Sequence, residues 1–287
     1  PVNLDVRGYV GLIAEGKYEE SLALIREQLP FPGIIGRICP HPCEERCNRG
    51  VEDKPLCIRD LKRFVADREL ARMKPQAHKK RAPVRRERIA IVGAGPAGLA
   101  CAYDLAIEGY QAVVFESLPR AGGMLAVGIP DYRLPRAILE GEIDVVRNLG
   151  VDIQYNKTLG REFTLDDLFK QGFKAVFIAV GAHQPMGMGT PGEETPGVEP
   201  GVDMLRSLNL GEAVQVGERV GVIGGGNVAI DAARCSLRCG AREVTIFYRR
   251  SRAEMPASEE EIEAALAENI SIEYLTAPEE VLAKNNR

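Results

Sequence analysis

Ile89-Ala90-Ile91-Val92-Gly93-Ala94-Gly95-Pro96-Ala97-Gly98 is a short β-branched run that breaks into Gly-x-Gly-x-x-Gly and leads into a helical stretch through residue 108. The apolar run reads as a buried parallel strand. A glycine triplet alone is weak evidence. Here a strand precedes it, a helix follows, and the next strand, Ala112-Val113-Val114-Phe115, delivers the acidic Glu116. That is the full context of a dinucleotide-binding unit. Gly93 permits the tight turn, Gly95 admits a pyrophosphate and Gly98 lets helix and strand pack closely. The helix N-terminus turns roughly half a positive charge towards the phosphates, and Glu116 is placed to accept hydrogen bonds from a ribose.

About 130 residues on, the unit repeats. Val220-Gly221-Val222-Ile223 runs into Gly224-Gly225-Gly226-Asn227-Val228-Ala229, and Val244-Thr245-Ile246-Phe247-Tyr248 ends in Arg249-Arg250 where a carboxylate would stand. A carboxylate repels a ribose 2′-phosphate, whereas a guanidinium grips it through parallel hydrogen bonds, so NADPH is favoured over NADH. The first unit reads instead as an FAD site. After Glu116 and Ser117 comes a long glycine-rich excursion, Gly122-Gly123-Met124 and then Gly128 to Pro135, suited to tracking a longer dinucleotide. Arg133 within it is read either as a contact to the flavin phosphates or ribityl chain, or as a salt bridge on a turn. Leu159, and Gly181 at the end of the apolar strand Ala175–Val180, complete the candidate residues of this site. Strands alternating with helices predict an α/β chain of two Rossmann-like units with parallel sheets covered on both faces.

Upstream the pattern is helical. Val10, Ile13 and Ala14, then Leu22 and Ile25, recur at helical spacing until Pro30-Phe31-Pro32-Gly33, and Ile58, Leu61, Phe64 and Val65 repeat it. Between these runs lie Cys39, Cys43 and Cys47, a C-x3-C-x3-C series, with Cys57 after nine more residues. Zinc sites favour C-x2-C pairs, and disulfides suit secreted chains. Four crowded thiols with Pro40 after the first favour ligation of a [4Fe–4S] cluster. Cys101, Cys235 and Cys239 read as packing residues, and His41 as loop filling.

The 287 residues are therefore divided into a helical iron–sulfur domain (1–70), a basic linker (71–88), an FAD-binding domain (89–215) and a partial NAD(P)H-binding domain (216–287). With 37 basic and 41 acidic residues, no general attraction to nucleic acid or an anionic membrane is implied. No apolar run approaches the ~20 residues of a bilayer span, and no signal peptide is visible, so the cytoplasm is the expected compartment. The chain opens on Pro1 and closes on Lys284-Asn285-Asn286-Arg287, within what should be a longer α/β unit, so it is expected to be cut at both ends.

Taken together, Gly36-Arg37-Ile38-Cys39-Pro40 with Cys43 and Cys47, Ile58 to Phe64, Val92 to Ala97, Gly128-Ile129-Pro130 with Arg133-Leu134-Pro135, Gly224 to Asp231 and Tyr248-Arg249-Arg250 resemble one superfamily along the whole chain. It contains the small (beta) subunit of NADPH-dependent glutamate synthase and the N-terminal half of dihydropyrimidine dehydrogenase. The resemblance implies FAD, NADPH and two [4Fe–4S] clusters, with electrons passed from NADPH through FAD and the clusters to a partner subunit or domain. It implies further cysteine ligands ahead of Pro1, shared with this cysteine group between the two clusters. Cys39 and Cys43 then serve one cluster, with Cys57 as a further ligand, and Cys47 the other. Near Lys62 some relatives place a Gln or Glu ligand, a part that lysine cannot play. Without those upstream cysteines this chain is expected not to complete both clusters, and the C-terminal return that closes the flavin site is also absent. Because the cofactors carry the chemistry, no catalytic acid or base is named. The alternatives are a non-catalytic scaffold that keeps the nucleotide folds and a stand-alone flavin-dependent reductase.

Overall fold

The computed structural model describes residues 3–71 and 84–283, which fall into two compact units: one to Ala126 with Asp131–Gly181, the other Val127–Pro130 with the residues from Ala182 onward. Most of the basic stretch read as a linker, 72–83, lies outside the described residues, as do 1–2 and 284–287. Two of its remaining arginines pack on aromatic faces. Arg85 lies 4.6 Å from the Tyr110 ring centre and Arg88 4.3 Å from that of Phe173.

The first unit begins with helices α1 (Val6–Ala14), α2 (Tyr18–Arg26), α3 (Pro32–Ile38), α4 (Pro42–Glu45) and α5 (Ile58–Ala71). Asp5 caps α1 by accepting from the Gly8 amide at 2.8 Å. In α5 the buried residues are Ile58, Lys62, Val65 and Ala66, a stripe at helical spacing. With Tyr9, Leu22 and Ile25, the apolar three, Ile58, Val65 and Ala66, form a small core of their own. Helix α2 ends ahead of Pro30-Phe31-Pro32-Gly33, and Pro32 occupies the first turn of the next helix, where its missing amide costs nothing.

Strand β1 (Arg88–Val92), helix α6 (Pro96–Ile107) and strand β2 (Gln111–Phe115) follow, then α7 (Met124–Val127), α8 (Arg136–Asn148), β3 (Asp152–Gln154), α9 (Leu165–Lys170) and β4 (Ala175–Ile178). The sheet order is β3-β2-β1-β4, all parallel, with Val92 paired to Phe115 on one side and Ile178 on the other. A reciprocal pair of hydrogen bonds between Thr164 and Asp167 starts α9.

The second unit contains α10 (Gly201–Leu210), β5 (Arg219–Ile223), α11 (Asn227–Arg238), β6 (Glu243–Tyr248), α12 (Glu259–Ala267) and β7 (Ser271–Tyr274), with parallel sheet order β5-β6-β7. Its core gathers Ile230, Val244, Ile246 and Ile262. Residues from Ala182 to Leu210, which the sequence reading gave to the FAD domain, belong to this unit by their packing. The expectation of sheets covered on both faces needs correction at two strands. Phe177 and Ile178 of β4 are 42% and 53% exposed and Ile223 of β5 is 43% exposed, and among the described residues each of these strands has a partner on one side only.

At the end of α11, Arg234 donates to Glu261 at 2.8 Å and to Glu268 at 2.8 Å, and Arg238 donates to Glu268 at 2.8 Å. The hydrogen bonds from Arg238 and Arg234 pull the Glu268 carboxyl down to about 2. A lowered carboxyl stabilises the fold above its unfolded value and loses that contribution as pH falls through its folded value. Glu268→Gln should destabilise the second unit by roughly 1–3 kcal/mol at pH 7. Denaturant titrations of both proteins should show the difference shrinking between about pH 4.5 and pH 2. A difference that does not change with pH would contradict the assignment.

Candidate nucleotide and cluster sites

At the carboxyl end of β1 the chain has no room for a side chain on one side and much room on the other. Gly93 sits at φ +105°, and a Cβ there would lie 2.3 Å from the Ala179 carbonyl oxygen. A Cβ on Gly98 would fall 1.9 Å from the Gly93 carbonyl oxygen, which is how α6 packs so close to the strand. Gly95 is different. It is the N-cap of α6 in extended backbone, and a Cβ there would meet only Gly123 Cα at 3.9 Å. The space before this helix start is open, the arrangement that admits a pyrophosphate.

The rest of the first constellation converges on this loop. Glu116, 4% exposed, accepts from the Ala94 amide at 2.7 Å and the Leu118 amide at 2.8 Å. Ser117 donates to the same carboxylate at 3.2 Å. The Gly122 amide donates to the Ala94 carbonyl at 2.8 Å, and a Cβ on Gly123 would lie 2.7 Å from Gly95 Cα. Pro96 and Ala97 are exposed on the first turn of α6, Met124 opens α7, and Gly181 lies just beyond β4 at φ +70°. Leu159 instead packs against the Phe115–Phe163 cluster, and Arg133 is half-buried in the turn before α8. The sequence reading missed Arg120 and Arg136. Burial and the neighbouring Arg120 hold the Arg136 guanidinium below the usual arginine range, so two cations face one another next to Gly122-Gly123. The signal available was Arg120, one residue short of the glycine pair.

The second loop is built the same way and braced differently. Gly226, the N-cap of α11, has only Pro256 Cγ within reach of a Cβ, at 4.0 Å. A Cβ on Gly225 would fall 2.5 Å from the Tyr248 ring, whose hydroxyl donates to the Glu254 carbonyl at 2.7 Å. The Ala257 amide donates to the Gly225 carbonyl at 3.0 Å, and the Ser258 amide to the Asn227 side chain at 3.1 Å. Residues 254–258 thus close behind the glycines, while Val228 is 45% exposed at the helix start. Beyond β6 stand three arginines. Glu259 and Glu263 hold Arg252, whereas Arg249 and Arg250 are exposed.

In the helical part, Cys39 caps the C-terminus of α3 and its sulfur accepts from the His41 amide at 3.4 Å. His41, at φ 41°, turns the chain into α4, which carries Cys43 and Glu44. Glu44 accepts from the Arg59 amide at 2.7 Å, tying this turn to α5. Cys39, Cys43 and Glu44 share their surroundings with Tyr9 and the buried Lys62. Burial, with the nearby thiols, drives the Tyr9 phenol up, and burial draws the Lys62 ammonium down against their opposite pull. Cys47 lies in other surroundings, its thiol held below the usual range by the Leu56 and Arg49 amides, and Cys57 is exposed. Among the described residues no three His, Cys, Asp or Glu side chains converge on one point. The donor chemistry of the Cys39–Cys43 pair fits a share of a cluster, and the described residues do not complete four ligands. None of the seven cysteines is in a disulfide.

The chain belongs to the pyridine nucleotide-disulphide oxidoreductase family, whose model matches residues 87–285, and residues 1–74 match the 4Fe-4S domain II of dihydropyrimidine dehydrogenase. It is therefore an oxidoreductase of the FAD and iron–sulfur superfamily expected from its motifs, and both matches support FAD, NADPH and a [4Fe–4S] cluster as cofactors. It is 48% identical over 307 residues to the NADP(+)-dependent formate dehydrogenase subunit beta of Moorella thermoacetica, covering 99% of this chain and 43% of that protein. It is 44% identical over 292 residues to the NADPH-Fe(3+) oxidoreductase subunit beta of Geobacter sulfurreducens, covering 100% and 43%. With the glutamate synthase [NADPH] small chain of Escherichia coli it shares 32% identity, covering 97% and 61%. The chain thus spans less than half the length of the first two relatives. Among solved structures, Mycobacterium tuberculosis FprA in complex with NADPH superposes with a TM-score of 0.56 at 26% identity, covering 64% of this chain and 48% of that one. No helix of the described residues is long and apolar enough to cross a membrane.

Because a Cβ at Gly95 would meet only Gly123 Cα, at 3.9 Å, among the described residues, Gly95→Val should fold normally and lose FAD, the new side chain taking the path of the pyrophosphate. NADPH binding at the second loop should be unchanged. Flavin content by absorbance, with circular dichroism as a check on folding, decides it. Stoichiometric FAD in a folded variant would refute the site.

Proposed function

We propose that this chain is an electron-input module that takes electrons from NADPH at the second loop and passes them through FAD at the first loop to iron–sulfur centres, and so to a partner subunit or domain. The observation that carries the reading is the pair of open helix N-termini with opposite charge beyond them: the buried Glu116 at one and the exposed Arg249-Arg250 at the other. Glu116 is held by two backbone amides and the Ser117 hydroxyl, and the oxygen that accepts only from Ala94 keeps a lone pair for a ribose hydroxyl. Arg120, one residue before Gly122-Gly123, and Arg136 at the start of α8 are the further cations assigned to the flavin phosphates. Arg252 is engaged by two glutamates, which leaves Arg249 and Arg250 to hold the 2′-phosphate.

When bound, FAD accepts a hydride from the nicotinamide and releases electrons singly, which is what joins a two-electron donor to one-electron clusters. Cys39 and Cys43 would supply two thiolates to one cluster, with Cys57 as a further ligand, and Cys47, in its separate surroundings, would serve a second. The relatives named as beta subunits support a partner that receives the electrons. Seven unpaired cysteines support work in the reducing cytoplasm.

Two measurements test this reading. The double variant Arg249→Ala with Arg250→Ala should lose the preference for NADPH over NADH, its NADPH affinity falling roughly ten- to hundredfold for each charge-assisted contact removed. A wild-type protein that binds both nucleotides equally would refute the 2′-phosphate site. In the holoprotein, Cys39→Ala should lower iron content and block electron exit, yet leave NADPH-driven flavin bleaching intact. Bound zinc in the anaerobic protein, or full iron content in the variant, would refute the cluster assignment.

A further inference from the structure

Glu142 lies on α8, in the helix layer of the first nucleotide-binding sheet, and is 0% exposed. Its carboxylate points out of that layer into the helical, cysteine-bearing part. One oxygen accepts from the Gly33 amide at 3.0 Å and the Ile34 amide at 3.3 Å, both in the first turn of α3. The other faces the Arg26 guanidinium of α2 at 3.4 Å. Arg26, with its side chain 1% exposed, is itself paired with Glu69 of α5 at 2.6 Å. Three helices therefore meet at a single carboxylate, and Arg26 ties a fourth, α5, to it.

The backbone around it is fitted closely. A Cβ on Gly33 would lie 3.3 Å from Glu142 Cδ, and one on Gly141 would lie 2.8 Å from Leu70 Cδ2 at the end of α5. Helix α3 has no side-chain cap from its own N-cap residue, Phe31, so Glu142 satisfies amides that would otherwise be orphaned. Seven residues later α3 ends, and Cys39 is its C-cap. A helix of that length spans about 10 Å and behaves as a strut. Helix α5 makes a second strut, with Glu69 at the joint and Lys62 two turns away beside Cys39 and Cys43.

We propose that Glu142 is a positioning residue, which caps α3 from the flavin-binding half and, with the Arg26–Glu69 pair, fixes Cys39 at a set distance from the flavin loop. Electron transfer between two centres falls exponentially with their separation. A joint that holds the cluster-bearing helix to the flavin unit therefore governs the internal step without touching either cofactor. The proposal rests on the electron-input reading given above. Burial pushes the Glu142 carboxyl up to about 7 against the pull of Arg26 and the two amides, so the tests belong at pH 8, above that value.

The experiment uses the anaerobically purified holoprotein carrying this chain. In Glu142→Ala, hydrogen exchange at the Gly33 and Ile34 amides should quicken roughly ten- to hundredfold, the loss expected for a charge-assisted cap. Stopped-flow mixing with NADPH should show flavin bleaching at the wild-type rate and cluster reduction slowed, with iron content unchanged. Glu142→Gln keeps a carbonyl that can accept from α3 and should restore most of the exchange protection. Unchanged exchange in Glu142→Ala, or flavin bleaching and cluster reduction slowed by one common factor, overturns the proposal. Should Glu142→Ala fail to fold, Glu142→Gln and Arg26→Met decide it by whether cluster reduction slows more than flavin bleaching. A wild-type protein with no iron or no flavin bleaching would instead overturn the electron-input reading, and the exchange result would still judge the joint.

Discussion

The two nucleotide sites depend on a helix beginning hard against the end of a strand with nothing in front of it. Behind α6 there is no spare volume: a side chain at Gly98 would sit inside contact distance of the Gly93 carbonyl. In front, a Cβ on Gly95 or Gly226 would meet only one atom of the described residues, at 3.9 or 4.0 Å. The amides of a helix N-terminus carry partial positive charge and lack intrahelical partners, so open space there is a demand for an anion. Two such demands in one chain, each at the carboxyl end of a parallel sheet, set what the rest of the fold has to support.

The support differs between the two, and the difference sorts the ligands. The first loop is drawn together by polar contacts, with Glu116 hooking Ala94 and the Gly122 amide closing on the Ala94 carbonyl. That acid would repel a 2′-phosphate. The second loop is backed by the Tyr248 ring and by the turn from Glu254 to Ser258, and its charged edge is basic. In the helical part, the thiols of Cys39 and Cys43 lie near a buried ammonium, that of Lys62, an environment suited to holding added negative charge.

Strands β1, β2, β5 and β6 were legible because short β-branched runs bounded by glycine have few other readings, and the glycine loops followed from them. Strand β3, three residues of mixed polarity, carried no such signal, and β7 alternates too briefly to stand out. The exposure of Phe177 and Ile178 was invisible because an apolar run does not say whether its strand lies inside a sheet or at its edge. Cys39 and Cys43 were found from spacing and the separate part of Cys47 from the resemblance, but the Leu56 and Arg49 amides around its thiol were not legible in the sequence. Arg136 and Glu142 went unread because a charged residue in a helix is ordinarily taken as solvated, and only tertiary packing shows what it faces.

An anaerobic titration with NADPH, followed by visible absorption and low-temperature electron paramagnetic resonance, tests the central claim most directly. On this account the flavin bands bleach first, and the signal of a reduced iron–sulfur centre then grows with further NADPH, while NADH at the same concentrations does far less. A flavin that bleaches with no iron–sulfur signal following, in protein that contains iron, would contradict it.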